Sequence, residues 1–359
     1  MRVEIPIGAA LIPAIAVAGL VLCVSPAKAQ GTARCGNGVE LRLSAPAASQ
    51  GSLLLLEVRS KVSLADVEAH WGEKKLAFWQ AEGTTAPAKV ETNEAPKAQK
   101  ATGGEDVRRA LVGVDLEHPA GKYALKLTAK PENGAEVSCS AAVTVRAGHF
   151  AVERLQVEPK FVQPSPEDLA RAEKERLRLR EIFATVTPAK LWEGSFRLPL
   201  DGARQASNFG RRRVLNGQPG SPHGGADFPA PTGTPVYAAQ GGHVVLAEAL
   251  YFSGNTVVID HGLGVYTFYG HLSSLNAKEG DVVKRGDLIG EVGATGRVTG
   301  PHLHWGLTVE GARVNPVQIL SLLRRYRYSF SRPSVRPRSP RKRGVQSRFK
   351  SSGAPSLAE

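Results

Sequence analysis

The chain has 359 residues, 42% of them hydrophobic and 22% charged, with a formal net charge of +13. This is a globular balance, which excludes a wholly disordered or collagen-like chain and suits two domains of moderate size with tails. The charge says little about the folded part, because eleven Lys or Arg against one acidic residue fall between Arg324 and Glu359, a balance of +10.

Residues 1–29 read as a signal peptide. Arg2 precedes an uncharged apolar run from Ile5 to Val24, and the small-residue site Ala27-Lys28-Ala29 follows. Glu4 offsets Arg2, so an uncleaved anchor competes with cleavage, the run approaching the ~20 residues of a membrane span. Cys23 hints at a lipoprotein site, which the bulk of Leu22 disfavours. Each reading implies export, to the periplasm or cell envelope or beyond it. Removing Cys23 with this segment leaves Cys35 and Cys139, which in an exported chain predict one disulfide.

Residues 30–149 alternate short β-runs with turn signals. Ser52–Val58 is one apolar run broken by Glu57, whereas Tyr123–Thr128 and Val137–Val145 approach the period-2 alternation of strands, and Pro119-Ala120-Gly121 and Pro131-Glu132-Asn133-Gly134 separate them. With Cys35 tying the first strand to the last, an immunoglobulin-like β-sandwich is expected. Residues 82–105, mostly Ala, Thr, Lys, Pro and Glu, read as a long exposed loop.

Residues 150–190 form a linker with a helix. Ser165-Pro166-Glu167-Asp168 supplies an N-cap, a first-turn proline and a capping acid, and Glu167 and Arg171 are spaced for a helical pair. The apolar face of Leu169, Ala172, Leu179, Ile182 and Phe183 is narrow, as expected of a connector packed on a neighbour.

Residues 191–322 read as an antiparallel β-rich domain: strand-like pieces at Val236–Ala239, His243–Ala247, Thr256–Asp260, Val265–Tyr269 and His302–Leu307 alternate with Gly-rich turns. Residues 323–359, rich in Ser, Pro and Arg, read as a disordered basic tail. In an exported protein its partners would be anionic lipid or wall polymer rather than nucleic acid, with a solvated tail that has no partner as the equal alternative.

Six of the nine histidines lie between 223 and 304. His302-Leu303-His304 places two imidazoles on one face of a strand. His223-Gly224-Gly225-Ala226-Asp227 adds an imidazole and a carboxylate, with glycines that let the backbone bend so that both converge. Two imidazoles and one carboxylate leave a fourth tetrahedral position open, the pattern of catalytic rather than structural zinc. Either pair alone would more often be a surface feature.

The surrounding residues change that balance. Ser207-Asn208-Phe209-Gly210-Arg211-Arg212, HGGADFPAPTGTPVYA (223–238), GNTVVIDHGLGVYTFYGHLS (254–273), GDVVKRGDLIGEVGATG (280–296) and TGPHLHW (299–305) together resemble the lysostaphin-type (LytM-like) zinc endopeptidases of bacterial cell walls, over about 190–320. The resemblance implies a Zn2+ ion held by His223, Asp227 and His304, catalytic roles for His271 and His302, and peptidoglycan as the substrate. Asn208, Arg212 and Tyr269 are candidates for the substrate cleft, though a strand tyrosine more often packs. His261 reads as a hydrogen-bonded structural residue and His243 as exposed. The expected function is an exported zinc endopeptidase of peptidoglycan stem peptides or cross-bridges. Two alternatives are a non-catalytic wall-binding activator of other hydrolases and a peptidase of exported proteins. Oligomeric state and the bond cleaved stay open.

Overall fold

A computed structural model describes residues 31–81, 105–203 and 208–328. The expected signal peptide, the loop at 82–104 and the tail beyond residue 328 lie outside the described residues. No described helix is long and apolar enough to cross a membrane.

Ten strands fill residues 32–146: β1 (Thr32–Gly36), β2 (Val39–Leu43), β3 (Ala47–Ser49), β4 (Leu53–Ser60), β5 (Leu64–Trp71), β6 (Lys74–Lys75), β7 (Phe78–Gln80), β8 (Asp106–Gly113), β9 (Gly121–Pro131) and β10 (Val137–Arg146). They form two five-stranded sheets, ordered β1-β2-β4-β8-β7 and β3-β10-β9-β5-β6. The sheets face each other over one core that includes Leu41, Leu54, Leu56 and Val112 from the first and Trp71, Leu125, Leu127 and Val143 from the second. A Cys35–Cys139 disulfide joins β1 to β10 and so staples one sheet to the other.

The apolar run in β4 has a physical reason. Leu54 and Leu56 point into the sandwich, while Leu53 and Leu55 point the other way into the core of the C-terminal domain, beside Leu111 of β8, Trp192 and Phe196. A strand buried on both faces needs no polar alternation. Trp79 meets Trp192 edge-on, with ring centroids 5.5 Å apart.

After the sandwich, β11 (Val152–Leu155) leads to α1 (Pro166–Ala184). Ser165 caps the helix, its hydroxyl accepting from the Asp168 amide at 3.1 Å. Leu179, Ile182 and Phe183 pack on Leu246, Leu250, Val258 and Tyr266, but Leu169 is 53% exposed and contributes nothing to that face. Arg171 pairs with Glu175 one turn on rather than with Glu167, and its guanidinium also donates to the Ala249 carbonyl.

The C-terminal domain contains β12 (Arg212–Leu215), β13 (Gln218–Pro219), β14 (Gly225–Pro229), β15 (Pro235–Tyr237), β16 (Gly242–Leu250), β17 (Gly254–Asp260), β18 (Val265–Leu275), β19 (Val282–Val283), β20 (Leu288–Val292), β21 (His302–Val309), β22 (Ala312–Val314) and α2 (Val317–Tyr328). Its antiparallel main sheet runs β14-β21-β18-β17-β16-β19, with β22 added on β21. β18 changes partners midway: Gly270 still faces His304 of β21, whereas Leu272 already faces Val292 of β20. The helix α2 runs past the expected domain end at residue 322.

Polar contacts tie the sandwich to the β21–β22 hairpin and to α2. Arg313 donates to Asp115 at 2.9 Å and Glu117 at 2.8 Å, and Gln318 accepts from the Leu53 amide at 2.8 Å. Glu310 at the hairpin tip accepts from the Ala77 amide at 2.9 Å, and Lys74 donates to its carbonyl at 2.6 Å. Burial pushes the Glu310 carboxyl up to about 7, against the opposing Ala77 hydrogen bond and Lys74 charge. A pKa raised in the folded state gives a contribution that is complete below the unfolded value and lost as pH climbs through about 7. Melting temperatures of the parent and Glu310→Gln should therefore diverge between pH 5 and 8, the parent losing stability relative to the variant as pH rises. Parallel curves would count against this.

Candidate active site

β14 and β21 are paired so that Asp227 lies directly opposite His304. Cross-strand neighbours on one face stand about 5 Å apart at Cβ, so the register alone brings carboxylate and imidazole together. His223, in the segment entering β14, completes the group. Its Nε2 lies 3.0 Å from Asp227 Oδ1 and 2.9 Å from His304 Nδ1, and the latter is 2.9 Å from the same oxygen.

The hydrogen bonds around this triangle fix its chemistry. His223 Nδ1 meets the Asn208 carbonyl at 3.0 Å. With the proton on Nδ1, where it can be donated to that carbonyl, Nε2 is a lone pair aimed at a carboxylate oxygen. Two acceptors at hydrogen-bond distance call for a cation between them, either a proton or a metal ion. The spacing is close to that of three corners of a tetrahedron with bonds of ~2.0–2.2 Å, as zinc makes with nitrogen and oxygen. His223, Asp227 and His304 are also the one such cluster of metal-capable side chains among the described residues. These residues fit the implied ion.

Asn208 holds the group in place. Its amide oxygen accepts from the Asp227 backbone N–H at 2.9 Å and its amide nitrogen donates to Asp227 Oδ2 at 2.9 Å, while its carbonyl orients His223. It therefore braces His223 and Asp227 against each other. Arg213 also donates to Oδ2, at 3.1 Å, so Oδ1 is the oxygen left for a metal. Burial would raise the Asp227 pKa, but hydrogen bonds from His223 and His304 outweigh it and hold the carboxyl well below its usual range. Asn208→Ala should weaken zinc binding by about 10–100-fold, the usual cost of losing an outer-sphere partner, as read by competition with a chromogenic chelator.

The glycines between His223 and Asp227 act differently from expectation. Neither Gly224 nor Gly225 has a positive φ. Gly225 is required by clearance: a Cβ there would lie 2.7 Å from the His304 ring and 2.6 Å from the Trp305 carbonyl. Gly225→Ala should therefore displace His304.

His271 and His302 flank the triangle, with ring centroids 4.8 Å apart. His271 occupies the switch point of β18 with φ of 65°, an uncommon conformation for a non-glycine residue, and its Nδ1 meets the Thr295 carbonyl at 2.9 Å. His302 Nδ1 meets the Gly300 carbonyl at 2.8 Å. With Nδ1 protonated, each ring keeps Nε2 as its base nitrogen, that of His302 lying 3.7 Å from Asp227 Oδ1. Burial pushes His271 down to about 3 and His304 down to about 4.

The remaining sequence candidates fall elsewhere. Tyr269 is fully buried and its hydroxyl accepts from the Ala239 amide at 2.9 Å, so it packs the sheet and does not line the cleft. Arg212 is exposed and the cleft side of β12 is taken by Arg213. Strand alternation puts Arg211 and Arg213 on one face and Arg212 on the other, a signal present in the sequence. His261 is buried between the Gly241 carbonyl and the Thr267 hydroxyl, each at 2.7 Å, and His243 is exposed.

Beside the histidines lies a cleft of about 250 Å³, lined in part by Glu153, Leu155, Arg213, Arg297 and Pro301. One wall comes from β11, which pairs in parallel with β12 and places Glu153 opposite Arg213. Glu153 accepts from Arg211 at 2.8 Å and lies 3.6 Å from Arg213. The segment that leaves the sandwich thus builds part of the site.

Residues 221–316 match the profile of Peptidase family M23. The peptidoglycan DD-endopeptidase ShyA of Vibrio cholerae is 47% identical over 124 residues, 34% of this chain and 29% of that protein. The DD-carboxypeptidase/endopeptidase Mpg of Neisseria meningitidis serogroup B is 42% identical over 128 residues, 35% of this chain and 30% of that protein. The chain thus spans under a third of the length of these curated relatives. A Pseudomonas aeruginosa crystal structure assigned to peptidase M23 aligns over 76% of this chain and 95% of its own, at 27% identity and a TM-score of 0.54. That alignment reaches well beyond residues 221–316, so the likeness is not confined to the segment that carries the sequence motifs.

Proposed function

We propose that this chain, whose residues 221–316 belong to peptidase family M23, is an exported zinc endopeptidase that hydrolyses D-alanyl cross-links of peptidoglycan. The observation that carries the reading is the convergence of His223 Nε2, Asp227 Oδ1 and His304 Nδ1 to within 3.0 Å of one another, with two further imidazoles alongside. The names of the relatives support the substrate, and the leader-like N-terminus supports export.

In this reading His223, Asp227 and His304 hold the ion. A zinc ion there supplies Lewis acidity, polarising the scissile carbonyl and lowering the pKa of water. The chain's own groups handle protons. With Nδ1 of His271 and His302 committed to backbone carbonyls, each Nε2 can take a proton from the attacking water or, once protonated, give it to the leaving amine. Thr295 and Gly300 fix both rings before substrate arrives, so little reorganisation is needed at the moment of reaction. A non-catalytic activator would have no need of all five side chains in this arrangement.

The test uses purified sacculi. Parent protein with zinc should release un-cross-linked muropeptides, identifiable by mass spectrometry, with release stopped by a chelator and restored by zinc. Zinc-loaded protein that leaves sacculi and cross-linked dimers intact would overturn the reading.

A further inference from the structure

Arg297 stands apart from Arg213, the other arginine lining the cleft, and from Arg211 beside it. Arg211 and Arg213 are both engaged, the first by Glu153 and the second by Asp227 and Glu153. No carboxylate or carbonyl among the described residues receives a hydrogen bond from the Arg297 side chain. Yet the residue is only partly exposed, and it lines the same cleft as His271 and His302. Its guanidinium carbon sits 4.5 Å from the centre of the Phe252 ring. A ring over one face of a guanidinium leaves the in-plane N–H groups free.

The backbone holds this group in position. Its own amide donates to the Phe252 carbonyl at 2.8 Å. The preceding Gly296 has φ of 74°, and a Cβ there would lie 2.4 Å from the Gly254 nitrogen. The turn is thus locked against the 252–254 segment, and both the base and the face of Arg297 are fixed while its hydrogen-bonding edge is left open. Partial burial, together with the nearby charge of Arg213, lowers its pKa. A buried cation without a partner is costly, and a bidentate carboxylate is the partner that matches its geometry.

We propose that Arg297 is a specificity-determining residue that binds a free carboxylate of the substrate next to the scissile amide. The assignment rests on the peptidase reading of the cleft. Two kinds of peptide present such a group: a chain end, where the carboxylate is the terminus, and a cross-link, where it is a branch beside the amide.

Four probes separate these sources and test the claim on the full-length zinc-loaded protein. Two are an acyl-D-alanyl-D-alanine peptide as free acid and as C-terminal amide. The other two are a cross-linked peptide dimer with the flanking carboxylate free and the same dimer with it amidated. The parent should prefer a free acid over its amide by about 10–100-fold in kcat/KM, the range of a charge-assisted hydrogen-bonded pair, in whichever series supplies the natural carboxylate. Arg297→Gln should bring that ratio close to one, and Arg297→Lys should recover part of it. Zinc content measured on each variant separates this from collapse of the centre. Equal ratios in the parent and Arg297→Gln, or no preference in the parent, would overturn the assignment. If the parent cleaves none of the probes, the peptidase reading is what fails. Calorimetric binding of the same acid and amide pairs then decides the role of Arg297 by the same comparison.

Discussion

His304→Ala is expected to lose both zinc and hydrolysis, whereas His271→Ala is expected to keep the ion and still fall by about 10²–10⁴ in rate. The two histidines are close, with ring centroids 5.9 Å apart, yet they differ in what their nitrogens face. His304 Nδ1 lies 2.9 Å from both His223 Nε2 and Asp227 Oδ1, so its removal breaks the donor set itself. Loss of an ion that supplies several kcal/mol to the transition state corresponds to at least about 10³-fold in kcat/KM. His271 commits Nδ1 to Thr295 and is not one of the three converging groups. Zinc by plasma mass spectrometry and cleavage of a cross-linked muropeptide dimer separate the two effects. Full zinc occupancy in His304→Ala, or loss of zinc in His271→Ala, would reverse the assigned roles.

Leu55→Ala is expected to destabilise both halves of the molecule together. Leu55 is 1% exposed and belongs to the sandwich by sequence, but its side chain is part of the core that contains Trp192, Phe196 and Val309. Removing three carbons from such a site costs about 2–5 kcal/mol, on the order of 10 °C for a chain of this size. Calorimetry of the parent should show one cooperative transition, and in the variant that transition should move as a whole. Two separate transitions, with only the first displaced, would mean that the sandwich and the C-terminal domain melt independently. The shared core bears on function as well, because β11 leaves the sandwich to form a wall of the cleft, and loosening the junction should misplace Glu153 and Arg213.

The sequence by itself determined the features that depend on neighbours close along the chain. The His302/His304 face, the capped helix starting at Pro166, the strand periodicity of the C-terminal domain and the identity of the clustered histidines all follow from spacings of a few residues, where backbone geometry dictates which side chains meet. Tertiary structure decided the rest. Asp227 faces His304 across a register set 77 residues away, and Asn208 braces that carboxylate from 19 residues upstream. Gly225 is demanded by the ring of a distant histidine rather than by a local bend. Alternation along β12 separates Arg212 from Arg213, but only the folded chain shows that the face carrying Arg213 is the one turned to the cleft. Tyr269 is core because the sheet closes over it. The Leu53–Val58 run showed in sequence only that a strand is apolar; its two buried faces belong to two different cores, which becomes visible only when both domains are in place. A side chain's spacing constrains its neighbours within a turn or a strand pair, but its burial and its partners are set by which segments fold against it, and those lie tens to hundreds of residues away.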